Sequence, residues 1–146
     1  MATLGLPSYA RARQNARSSY AGIAAMQDYA RMQAQQRGSR KLFNIGQKYE
    51  ALTPRTIAGY TQRGLAGPGI TSGVFSRGLQ NLASAEASDR YTAQLRLADQ
   101  LQNIQSKQDV AYRKMQDRLV DIDRQKANDQ ARIAASLRRM KPLMGG

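Results

Sequence analysis

The stretch 63-RGLAGPGITSGVFSRGLQ-80 holds five glycines and one proline in eighteen residues, and its reading decides the fold. A phosphate-cradling loop would imply a nucleotide-binding α/β unit, whereas a turn between helices implies an all-α chain. A Walker loop needs GxxxxGK[ST], whose lysine reaches the terminal phosphates and whose hydroxyl holds magnesium. Here Gly73 is followed by Val74. A dinucleotide fingerprint needs GxGxxG between a strand and a helix. The run Gly67-Pro68-Gly69-Ile70-Thr71-Ser72-Gly73 has the wrong spacing, and no strand pattern precedes it. The turn reading stands. Gly67-Pro68-Gly69 breaks the backbone, and Thr71 or Ser72 can cap a helix that starts there. Gly64, Gly67, Pro68, Gly69 and Gly73 are the expected hinge.

Downstream of this bend the chain has no proline until Pro142 and no glycine between Gly78 and the terminal pair. Ala, Gln, Leu, Arg, Asp and Lys dominate, most of them good helix formers. The expectation is one helix over residues 74–141, a rod of roughly 90–100 Å at 1.5 Å per residue, with a flexible tail at 142–146. Its packing seam is Leu97, Leu101, Ile104, Met115, Leu119, Ile122, Ile133 and Leu137, with Ala111 and Met140 in line and gaps at Gln108, Lys126 and Gln130. Steps near eleven, as from Ala111 to Ile122 to Ile133, suit an almost straight helix pair better than a heptad supercoil. A stripe this sparse does not hold a rod alone in water. It needs a mate: the first helix folded back, copies of itself, or the wall of a larger assembly. Asp109–Arg113, Asp121–Arg124 and Asp123–Lys126 are spaced for helix-supporting pairs of a few tenths of a kcal/mol each.

Upstream, Pro7-Ser8 suits a helix start. Tyr9, Ala16, Tyr20, Ile23, Gln27, Ala30 and Ala34 then share one side, and Gly38 offers a stop. Residues 8–37 read as an amphipathic helix with a narrow seam of small residues. The patch 41-KLFNIGQKYEAL-52 comes next, and Thr53-Pro54 reads as the cap and first residue of a short helix ending at Gly64. Residues 1–62 are thus a basic helical region and 63–73 the bend.

Composition narrows the function. The net charge is +13, and residues 1–78 carry 11 basic against 2 acidic side chains, whereas 79–146 carry 12 against 8. Arg11, Arg13, Arg17, Arg31, Arg37, Arg40 and Lys41 are the candidate contacts for a polyanion or an acidic partner; a solvated basic face is the plainer alternative. With two Phe and no Trp, the chain has little bulky material for a self-contained core. No His and no Cys are present, which removes the usual general base, the thiol nucleophile and nearly every zinc site. We therefore expect no enzyme, no catalytic or metal residues and no cofactor. The seven tyrosines stand near arginines, a pattern that also stacks on single-stranded bases, but packing along thin seams is the favoured reading. No apolar run nears the roughly 20 residues of a membrane span, and no secretory-signal segment stands near Met1. The Arg/Ser/Ala-rich, acid-poor opening also fits an organelle transit peptide, although the pattern continues well past the length of such a leader.

The run "RGLAGPGITSGVFSRGLQNLA" and the Ala/Gln/Arg/Asp-rich helix after it resemble small structural proteins of tailed bacteriophages. The matching positions are Arg63-Gly64-Leu65, Ser72-Gly73-Val74 and Arg77-Gly78-Leu79, within residues 55–135. The resemblance implies a virion component, internal or associated with the head–tail junction or portal, present in symmetric copies and carrying no catalytic residues. Expected partners are other virion proteins (portal, tail or capsid), the chain itself and DNA; membrane contact is not favoured. The alternative is a free-standing, DNA-associated basic protein of the cytoplasm that binds or compacts nucleic acid.

Overall fold

The computed structural model describes residues 8–144, with Ile70, Thr71 and Met144 described by backbone alone. It is all-helical: α1 spans Tyr9–Gln62 and α2 spans Gly73–Met144. Two compact units divide the chain, one of residues up to Asp28 with those from Gln105 onward, the other Tyr29–Ile104. The expected helix start at Pro7 and the terminal glycines Gly145 and Gly146 lie outside the described residues.

Local chemistry sets the helix ends. Ser8 Oγ accepts a hydrogen bond from the Arg11 N–H at 3.2 Å, and Ser72 Oγ accepts one from the Phe75 N–H at 3.0 Å. Each serine thus satisfies a donor that its first turn leaves unpaired. At the far end of α1, Gly64 has φ +70°, its N–H bonds to the Thr61 carbonyl, and the Leu65 N–H reaches back to the Tyr60 carbonyl. This is the Schellman termination, which needs a left-handed residue that glycine supplies without strain. Between the helices, β1 (Ala66–Gly67) pairs antiparallel with β2 (Ile70–Thr71) around the two-residue loop Pro68-Gly69. Gly67 and Gly69 have φ +148° and +77°, and Pro-Gly at the loop positions suits a turn with positive φ at its second residue.

Two expected breaks are absent. Helix α1 runs through Gly38 and Pro54, so the separate short helix does not exist. A Cβ on Gly38 would lie 2.7 Å from a Leu97 methyl; this glycine lets α2 approach and does not stop α1. At Pro54 the helix gives up one N–H, while the preceding Thr53 hydroxyl donates to the Tyr49 carbonyl at 2.8 Å. Inward residues on both sides of the proline, Tyr49, Leu52 and Thr56 among them, are held by packing, and tertiary contact overrides a local break. Helix α2 likewise carries Pro142 inside its last turn, so it extends beyond the expected end at 141.

Within each unit a stretch of α1 lies antiparallel to a stretch of α2. The inward positions of α2 from Leu82 to Ile122 recur every three or four residues, twelve positions in eleven steps across 40 residues, or about 3.6 per step. On α1, Ala16, Gln27, Gly38, Tyr49 and Tyr60 all point inward at intervals of eleven. This is the pitch of a nearly straight pair; a 3.5-residue repeat would force a left-handed supercoil. Among the described residues Ala16, Tyr49, Ala66 and Ala93 are the buried apolar ones, and of these Tyr49 alone is bulky.

Candidate functional site

The seam carries polar chemistry at two matching points. In the unit of the chain's two ends, the Tyr9 hydroxyl donates to Asp129 Oδ2. In the other unit, the Tyr49 hydroxyl donates to Asp89 Oδ2 at 2.6 Å. The tyrosines are 40 residues apart and so are the aspartates, the same distance as eleven steps of the stripe. Lys48 Nζ lies 3.7 Å from Asp89 Oδ2 of the second clasp, and one turn along α1 from Tyr9, Arg13 Nη1 lies 3.3 Å from a different carboxylate, Asp123 Oδ1. The hydrogen bond to the carboxylate is the leading cause that raises both phenol pKa values, with desolvation and the aspartate's charge adding to it. A neutral phenol donates; a phenolate beside Asp would repel it. These carboxylates therefore tie helix to helix. The sequence spacing suggested Asp123–Lys126, but Asp123 reaches across to Arg13. An i,i+4 ion pair does form at Glu86–Arg90, at 2.9 Å.

Aromatic packing supports the same seam. Tyr20 meets Tyr112 edge-on with ring centres 5.5 Å apart, and Tyr60 meets Phe75 at 5.6 Å. Arg63 lies over the Tyr60 ring at 5.3 Å, a cation–π contact. Tyr29 and Tyr91 stay exposed.

The candidate basic residues fall into both units. Arg11, Arg13 and Arg17 belong to the first, and Arg31, Arg37, Arg40 and Lys41 to the second. Arg13 and Arg31 are half-buried, while the other five are exposed. Of the expected seam, Leu97, Leu101, Ile104, Met115, Leu119 and Ile122 are half-buried against α1. Ile133 and Leu137 are exposed, the latter by 59%, since α2 from Gln130 to Leu143 is exposed throughout. Gly64, Gly67, Pro68 and Gly69 lie between the helices, and Gly73 is the first residue of α2. Sequence reasoning missed the inward Ala93, Glu86 and Asp89. Their signal was the step of three or four continued upstream from Leu97, where polar residues hide it.

Among the described residues no three His, Cys, Asp or Glu side chains gather where a metal ion could sit, and no helix is long and apolar enough to cross a membrane. A shallow groove of 280 Å³ lies between the helices of the first unit, lined by Ala16, Tyr20, Ile23, Ala111, Met115 and their neighbours. No protein-family model matches this chain, and no curated protein or solved structure is significantly similar to it.

Proposed function

We propose that this chain is a structural subunit of a tailed-phage virion, internal or associated with the head–tail junction or portal, assembled in symmetric copies. One observation carries the reading. The helix pairs bury few large side chains and leave many apolar ones in water, with Met26 exposed by 71% and Phe43 by 64%. Long helices owe their stability to packing, and a pair with so little bulky buried material has little of its own to hold it. The charge of +13 adds a preference for DNA or an acidic wall. The role is mechanical and electrostatic and involves no reaction. The carboxylates of the two clasps already serve as hydrogen-bond acceptors between helices.

Circular dichroism of the purified chain across a concentration series tests this. The expected result is helicity that is partial in dilute solution and rises, together with the melting temperature, as concentration rises. A cooperative melt independent of concentration would overturn the reading. A portal, capsid or tail gene beside the coding sequence would support the virion placement.

A second reading rests on Arg11, Arg17, Arg37, Arg40 and Lys41, all exposed on α1. As a free-standing nucleic-acid-binding protein the chain would shift duplex DNA in gels at low salt, with affinity falling steeply as salt rises. An unshifted band at low salt removes this alternative.

A further inference from the structure

The groove of the first unit has a consistent design. Its floor is small and apolar, with Ala16 buried and Ala111 and Met115 half-buried, and Ile23 and Val110 stand exposed along it. Its α2 rim is Lys107, Lys114 and Arg118, and no carboxylate lines it. Those three residues recur at steps of seven and four, which puts them on one flank of the helix. The second unit repeats the plan in a groove floored by Gly38, Ala93 and Leu97 and rimmed by Arg37, Lys41 and Arg96, again without an acid. Arg96, Lys107 and Arg118 are each eleven apart, in step with the seam.

We propose that the groove of the first unit seats an acidic amphipathic helix from another protein of the assembly. The partner's apolar ridge lies on Ala16, Ala111 and Met115, and its carboxylates meet Lys107, Lys114 and Arg118. A trough between two packed helices takes the ridge of a third, and an all-cationic rim selects negative flanks. Duplex DNA has no use for the apolar floor. A second copy of this chain, itself at +13, would bring positive charge to a positive rim. The proposal rests on the assembly-part reading and names the chemistry of one partner.

The test is fluorescence anisotropy of the full chain with a labelled synthetic helix of about 20 residues, long enough to hold helical structure, with a Leu/Ala face and Glu flanks. It should bind saturably. Binding should weaken about tenfold or more with the variant Lys107→Glu/Lys114→Glu/Arg118→Glu, whose exposed sites leave helicity intact by circular dichroism. The uncharged variant Ser19→Trp, which fills the groove at its α1 rim, should weaken it too, while Arg132→Glu/Arg138→Glu should leave it unchanged. Absence of saturable binding overturns the proposal. So does equal binding of a helix whose Leu/Ala face is replaced by Gln, or of one with Lys flanks. Capture of phosphatidylglycerol vesicles through the same three cations, in place of the peptide, overturns it in favour of lipid. If the peptide fails while helicity still rises with chain concentration, the groove proposal falls and the assembly reading stands.

Discussion

At the scale of single residues, the seam turns on whether a side chain fits between two backbones. Gly78 lies under Tyr60, whose ring is fixed edge-on against Phe75 with Arg63 on its face. A Cβ there would come within 2.6 Å of Tyr60 Cζ. Alanine gains about 1 kcal/mol of helix propensity over glycine, but overpacking costs about 1–3 kcal/mol, and the ring cannot swing aside without losing its contacts. Gly78→Ala is therefore expected to lower the melting temperature. Gly22, with nothing within 4 Å of its would-be Cβ, is the matched opposite: Gly22→Ala should raise stability by about 0.5–1 kcal/mol in denaturant titrations. The two clasps give a pH signature. Both phenols titrate above their ordinary value of 10.0 because each donates to an aspartate. Their contribution is fully present below that value and is lost as pH rises through the raised one. Melting curves should show a smaller alkaline loss for Tyr9→Phe/Tyr49→Phe than for the parent chain; equal losses would remove the clasps' role.

At the scale of elements, an interior proline marks where packing outweighs local preference. Pro54 deprives the Glu50 carbonyl of its helical donor, a defect of about 3 kcal/mol in an isolated helix. Pro54→Ala should raise the melting temperature, and a fall would show that the proline's bend is needed for the contact around Tyr49. The same position shows what the sequence could and could not disclose. Of the glycines singled out in the sequence, Gly64, Gly67 and Gly69 each take a positive φ that other residues adopt only with strain. The seam from Leu97 to Ile122 was legible because bulky apolar side chains repeat at helical spacing. Gly38 and Pro54 misled for a physical reason: glycine and proline state what a lone backbone prefers, whereas here an opposing helix decides. The Tyr–Asp clasps lay beyond reach, since pairing Tyr9 with Asp129 needs the register between stretches of helix 120 residues apart.

At the scale of the whole molecule, charge opposes compaction. The net charge is +13, and ion pairs such as Arg13–Asp123, Lys48–Asp89 and Glu86–Arg90 contribute about 0–1 kcal/mol each at exposed sites, so net repulsion is expected to dominate. Raising salt from about 20 to about 300 mM shortens the screening length to below about 10 Å. Helicity and melting temperature should therefore rise, opposite to the trend for a fold held by surface ion pairs; a fall in both would reverse this assignment. The pitch shared by the two helices has one more consequence. Because the inward face returns to phase every eleven residues, length behaves like masonry laid in whole courses. Duplicating residues 12–22 together with 110–120 adds one course to each wall and should leave the melting temperature unchanged or higher. Nine-residue duplications at the same sites turn the added stretch by about half a revolution, set its mortar face outward, and should lower it.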